Sequence, residues 1–168
     1  SRPQDLGHFA MDRGDHLLRF VHPGLGTFGV LICYDLSHFE ILWAINHGQH
    51  RDPVDILFVV ANNPDGKLYR ACCLADCHRF YQYIALCNVA KYGRSGIFGP
   101  LRTAGERQVL LDAGAGGEAV VAAEVDLAGL RAARAATDED LDRGRHSFRK
   151  KPGVFQVRFD TPPRQAGS

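Results

Sequence analysis

The sequence predicts an α/β fold, and three observations carry that prediction. Apolar runs of strand length occur at residues 28–33, 55–60 and 84–90. They are apolar at successive positions, as strands covered on both faces are. Between them lie residues 37–47 and 67–83, whose apolar spacing is helical. Strand, helix, strand, helix, strand is the rhythm of a layered α/β domain. With 168 residues, 45% of them hydrophobic, the chain is large enough for one packed core.

The elements follow in order. Residues 16–22 read as a short strand running into a turn at Pro23-Gly24. Residues 28–33 (FGVLIC) form the first buried strand. Ser37 is placed to cap the helix that follows, with Glu40 three residues on completing a capping box, and Gly48 ends it. Residues 55–60 (DILFVV) are the second buried strand, closed by the turn Asn62-Asn63-Pro64. A long helix over 67–83 leads to the third strand, 84–90. Within that helix Asp76 and Arg79, three apart, can pair on one face.

Residues 93–99 are turn-rich around Ile97-Phe98. Residues 108–112 and 119–125 read as two strands joined by the glycine-rich turn 114–117, a hairpin. Leu127 to Ala136 is a helix with Arg131 and Arg134 on one side. Residues 138–151 are dense in charge and read as solvated; Arg145, Arg149, Lys150 and Lys151 form a basic run there. The tail 161–168 is expected to be disordered, leaving 1–160 as the C-terminal portion of one domain.

Charge excludes some function classes. Twenty Lys and Arg against 19 Asp and Glu leave a net +1, without the basic face that nucleic-acid binding needs. No apolar run reaches the roughly 20 residues of a membrane-spanning helix. Five cysteines, an odd number, do not suggest a disulfide framework, so a reducing, cytoplasmic setting is expected. Cys72, Cys73, Cys77 and His78 cluster, but no second ligand pair follows as zinc sites require. They read as small buried thiols on a helix.

Cys33 is the candidate nucleophile. It ends a buried strand just before a helix start, the edge of an α/β sheet where ligands bind. Turn amides there can meet a developing oxyanion, and a helix start favours the thiolate. Asn62, Asn63 and Asn88 end strands on the same edge. They could hydrogen-bond a bound amide, or they could serve turn geometry. His38, close behind Cys33, could pair with it as a base.

The string Gly29-Val30-Leu31-Ile32-Cys33-Tyr34-Asp35-Leu36, followed by Glu40, resembles the nucleophile motif of the nitrilase, or carbon-nitrogen hydrolase, superfamily. The resemblance continues in register through DILFVVANNP at 55–64, Tyr83 to Asn88, GRSGIFGP at 93–100, and Glu118 to Arg134. It implies a nitrilase-like α-β-β-α sandwich, here lacking its N-terminal strands and helices. It also implies hydrolysis of an amide or nitrile through a thioester on Cys33, with no metal or organic cofactor. The backbone amide of Tyr34 would serve the oxyanion, and Asn62, Asn63 and Asn88 would line the substrate pocket.

The family's general-base Glu and oxyanion-stabilising Lys precede its Cys, each on its own strand or strand end. Only 32 residues precede Cys33 here, so both groups are expected from outside this segment, and the isolated chain is expected to be inactive. Glu40 matches the motif's trailing structural carboxylate. The expected partners are a small amide or nitrile and either further copies of the chain or the remainder of a larger one. The alternative is a catalytically silent nitrilase-like assembly or sensing module of a multidomain protein, such as a defence-associated reverse transcriptase fusion.

Overall fold

The computed structural model describes residue 14 and residues 16–47, 53–100 and 107–135. The charged stretch 138–151 with its basic run, and the tail 161–168, lie outside the described residues. Among the described residues there are ten short elements. Strands β1 (Arg19–His22) and β2 (Gly26–Ile32) lead into a 3-10 turn over Cys33–Ser37, and helix α1 (Phe39–His47) follows. Next come β3 (Ile56–Ala61), helix α2 (Gly66–Arg79), β4 (Tyr83–Asn88), β5 (Gly96–Phe98), β6 (Val109–Asp112) and helix α3 (Leu127–Ala135).

All six strands form one sheet in chain order. β2, β3 and β4 run parallel, while β1, β5 and β6 are antiparallel to their neighbours. The parallel trio is the part predicted from continuous apolar runs, and the helices α1 and α2 make its crossovers. Side chains alternate across the sheet. On one face Leu31, Leu57, Val59, Ile84 and Leu86 pack with Leu42 and Ile45 of α1 and with Tyr69, Cys73 and Cys77 of α2. Gly29 belongs to this face too: a Cβ there would run into the Ile45 side chain, so the helix sits directly on the strand backbone.

The opposite face is covered in part. Ile56 and Tyr83 are buried there with Leu130, and Phe28, Phe58, Val125 and Leu127 pack around them. Farther along the same strands Val30, Ile32 and Val60 remain 43%, 66% and 52% exposed. Arg134 and Arg131 lock α3 in place. Arg134 donates from Nη1 to Asp55 Oδ1 (2.9 Å), from Nη2 to Val54 O (2.9 Å) and from Nε to Tyr81 O (2.9 Å). Arg131 Nη2 reaches Asp55 Oδ2 at 2.7 Å, which also accepts from Thr27 N at 2.9 Å.

Three sequence expectations change. The helix after Cys33 is not capped by Ser37, because the 3-10 turn consumes Ser37; the carbonyl of His38 instead accepts from Ile41 N and Leu42 N. Helix α2 stops at Arg79, because Tyr81 takes a positive φ of 54° that turns the chain into β4. The hairpin of 108–112 with 119–125 does not form. β6 pairs with β5, and 118–126 carries no ladder among the described residues. The glycine-rich turn folds back on the β4–β5 connection, where Arg94 N donates to Gly114 O and Gly117 N to Ala90 O.

Candidate functional site

Cys33 stands where β2 hands over to the 3-10 turn, with φ at +48°. A side chain in that left-handed region is strained by contact with its own backbone, roughly 1–2 kcal/mol for a non-glycine residue. The junction is over-determined by its surroundings. Asp35 Oδ2 accepts the Ile32 N–H at 2.9 Å, tying the turn to the strand end. Leu36 is buried, and Cys33, half-buried, packs against the α1/α2 side of the core. The strain therefore sits at the predicted nucleophile, on a sharp strand-to-turn corner.

The amides at the start of that turn have no intrahelical acceptors, as at any helix start. The amide of Tyr34 is among them, and the Tyr34 side chain is exposed. Its ring meets the His38 imidazole edge-on, centroids 4.9 Å apart, and His38 Nδ1 lies 3.4 Å from Glu40 Oε1. Glu40 thus faces His38 rather than capping α1.

Sheet register fixes how the other candidates stand to Cys33. Ile32 pairs with Val60 and Val60 with Cys87; one step on, Ala61 pairs with Asn88. Cys33 follows β2 directly, one residue past the Ile32–Val60–Cys87 row, and Asn88 ends β4, so both stand at the carboxyl edge of the parallel trio. Asn62 and Asn63 extend just past it from β3.

Asn88 is buried and its carboxamide is fully engaged. Oδ1 accepts from Asn63 N (2.9 Å), while Nδ2 donates to Asn63 O (2.9 Å) and Gly93 O (3.0 Å). Its backbone N–H donates to Ser95 Oγ at 2.9 Å. Asn63 Oδ1 accepts from Asp65 N at 2.7 Å, closing the turn into α2. These two side chains hold the loops of the carboxyl edge together, and Asn62 is exposed beside them.

A cavity of about 480 Å³ opens on the partly covered face. Phe58, Val60, Ala85, Cys87 and Ile97 form its floor and Gly117–Val121 its far wall. Asn88 contributes to its lining and Cys33 does not. The cavity lies beside the candidate nucleophile's row, not around it.

The α2 thiols differ from Cys33 in setting. Burial pushes the Cys77 thiol up to about 12, and Cys73 is raised by burial and then by nearby Asp76. Cys77 Sγ donates to Gly99 O at 3.2 Å and accepts from Gln108 Nε2 at 3.3 Å. Cys72 is raised as well, first by burial. Among the described residues no group of three His, Cys, Asp or Glu is placed to hold a metal ion. Among the same residues no helix is long and apolar enough to cross a membrane.

Sequence reasoning did not find the Asp55–Arg131–Arg134 cluster, although it placed both arginines on one helix side. The signal was an acidic residue at the start of an otherwise apolar strand run. It named Tyr83 but not its contact: the hydroxyl accepts from Asp126 N (3.2 Å) and donates to Asp126 O (3.3 Å).

No protein-family model matches this chain, and no curated protein does. Solved structures do. XC1258 of Xanthomonas campestris, a CN-hydrolase superfamily protein with an arsenic adduct in its active site, superposes with a TM-score of 0.61 at 21% identity, over 78% of this chain and 51% of that one. A mutant of the amidase from Nesterenkonia sp. AN1, carrying the acetamide moiety of fluoroacetamide on its active-site cysteine, gives 0.54 at 17% identity, over 80% and 49%. Nit3 of Saccharomyces cerevisiae, of branch 10 of the nitrilase superfamily, gives 0.50 at 22% identity, over 64% and 40%. The chain therefore has the fold of nitrilase-superfamily structures and spans about half the length of those it matches.

Proposed function

We propose that this chain is the nucleophile-bearing portion of a carbon-nitrogen hydrolase acting on a small amide or nitrile. The observation that carries the reading is the left-handed backbone of Cys33 at the β2 corner, within a fold shared with hydrolases of this kind. Strain of that sort persists where a reactive group is being aimed.

In the proposed reaction the Cys33 thiolate attacks the carbonyl carbon and forms the C–S bond. The carbonyl electron pair moves to oxygen, where the Tyr34 amide donates a hydrogen bond. Collapse breaks the C–N bond, and the amine leaves with a proton from a general acid. Water, deprotonated by the same group acting as base, then attacks the thioester; the C–S bond breaks and the acid departs. A nitrile takes one added water at the thioimidate stage. The carboxylate that moves the protons and a cation that supports the oxyanion come from outside this segment. Turnover by the chain alone is therefore expected to be absent.

The test is covalent labelling with fluoroacetamide, in which the thiolate displaces fluoride. Peptide mass spectrometry should find Cys33 modified ahead of Cys72, Cys73, Cys77 and the exposed Cys87. Modification of Cys87 first, with Cys33 untouched, would overturn the assignment.

A further inference from the structure

His38 is the residue that the turn after Cys33 and helix α1 share. Its backbone N–H donates to Asp35 O (3.2 Å), and its carbonyl accepts from Ile41 N (3.1 Å) and Leu42 N (3.3 Å). The backbone is therefore fixed from both sides, and the imidazole projects from a rigid base. Its ring meets the Tyr34 ring at an interplanar angle of 86°, and Nδ1 lies 3.4 Å from Glu40 Oε1. Tyr34 is 68% exposed, and Glu40 is exposed too. Burial does not force this arrangement; the contacts themselves hold it.

The strained residue lies between two ties. Asp35 Oδ2 accepts from Ile32 N at 2.9 Å, fixing the residue before Cys33. The His38 imidazole meets Tyr34, the residue after it. A positive φ of 48° at Cys33 persists where the surroundings over-determine it, and His38 supplies the second tie. Amide orientation follows. The Tyr34 N–H belongs to the peptide that joins Cys33 to Tyr34, so it turns with ψ of Cys33 and φ of Tyr34. Holding the Tyr34 ring restricts both. Edge-on aromatic pairs have a preferred geometry, so the imidazole sets an orientation as well as a contact. Its contacts are with Tyr34 and Glu40, which makes its role positional and not that of a base to the sulfur.

We propose that His38 is a positioning residue: held by Glu40, it clamps the Tyr34 ring and so aims the Tyr34 amide at the oxyanion that forms when the Cys33 thiolate adds to a carbonyl. The inference rests on the hydrolase reading of Cys33 and adds a residue to it. Misaiming a donor costs less than deleting one, which slows reaction roughly 100–1000-fold, so loss of the clamp should slow the addition step about tenfold. The same loss should leave reactions of the sulfur that build no oxyanion nearly untouched.

Two reagents separate these steps on the intact chain. p-Nitrophenyl acetate acylates the thiolate: the C–S bond forms, the carbonyl pair moves to oxygen, and collapse breaks the C–O bond to release p-nitrophenolate. Fluoroacetamide alkylates it by displacing fluoride, and no tetrahedral oxyanion forms. Both reactions draw on one thiolate, so the ratio of their rates at Cys33, read by peptide mass spectrometry, cancels any change in its ionisation. His38→Ala should lower the ratio of acylation to alkylation about tenfold, and Glu40→Ala should lower it by less. His38→Phe, which keeps a ring against Tyr34, should restore most of it. Hydrogen exchange in β2, β3 and β4 checks that each variant folds. Equal slowing with both reagents would make His38 a base or a general support, and an unchanged ratio would leave the Tyr34 amide indifferent to it. Either result overturns the proposal while the labelling of Cys33 still stands. Failure of the unaltered chain to label at Cys33 with either reagent would instead overturn the hydrolase reading, and this inference with it.

Discussion

Arg134 Nη1 lies 2.9 Å from Asp55 Oδ1 and joins helix α3 to the entrance of β3 across 79 positions of sequence. The Asp55 side chain is almost wholly buried and shares its second oxygen with Arg131. Gly26 closes the arrangement: its φ is +74°, and a Cβ there would strike both the Asp55 carboxylate and the Arg131 guanidinium. The cluster anchors α3 and, through it, residues 118–126 that lead into it.

The two arginines should not contribute equally. Asp55→Asn leaves the nearly buried Arg134 without its anion and should cost about 3–5 kcal/mol, as breaking a buried pair does. Arg131 is about half exposed, at 55%, so Arg131→Met should cost under about 1 kcal/mol. Urea unfolding of both variants measures the difference; equal losses would contradict it.

The same carboxyl sets an acid dependence. Burial alone would raise Asp55, but the Arg131 hydrogen bond, the Thr27 amide and the charges of Arg134 and Arg131 together hold it below the ordinary 3.8. A lowered folded value means that its stabilisation is present above the unfolded value and lost as pH falls below it. Asp76 works in reverse. Burial raises it despite Arg79, so its contribution is favourable at low pH and is lost as pH rises through its raised folded value. Asp55→Asn should flatten the acid limb of stability below about pH 4. Asp76→Asn should steepen the rise with pH just above that point. Chemical denaturation across pH 2–7 distinguishes the two slopes.

Backbone strain at Cys33 predicts an order between two variants that both lack the sulfur. Cys33→Gly should be more stable than Cys33→Ala by about 1 kcal/mol, because glycine adopts positive φ without steric cost. Thermal unfolding reads this, and neither variant should take up fluoroacetamide at position 33. A more stable alanine variant would show that the corner is unstrained.

Asn88→Ala should act on stability. It strips a partner from Asn63 N, Asn63 O and Gly93 O in a buried corner, a loss of about 2–4 kcal/mol. Hydrogen exchange should accelerate at 62–65 and 89–95 before the rest of the sheet. Unchanged exchange there would mean that the loops hold without it.

How much was legible can be argued residue by residue. β2, β3 and β4 were readable because each is apolar at successive positions, the pattern of strands in a layered α/β sheet, although Val30, Ile32 and Val60 stay exposed on the second face. The strand-to-turn corner at Cys33 was readable from its place between such a strand and a helical start. β5 was hidden because its three residues, Gly96–Phe98, are too short for any periodicity to show. Ser37 and Glu40 satisfied the capping-box spacing, yet the 3-10 turn takes up Ser37 and α1 begins at Phe39, with Glu40 inside its first turn. The spacing rule does not contain that local geometry.

What the sequence determined alone was the alternation of elements, the apolar identity of the sheet and the position of the strand-to-turn corner at Cys33; these depend on contacts between near neighbours and on burial, which composition and period encode. What the tertiary structure decided was which carboxylate meets which arginine, that Asn88 spends its amide on two loops, and that 119–125 joins no ladder among the described residues. Each of those depends on groups far apart in sequence arriving at one place. A strand's propensity becomes a strand only when another backbone is there to accept its hydrogen bonds.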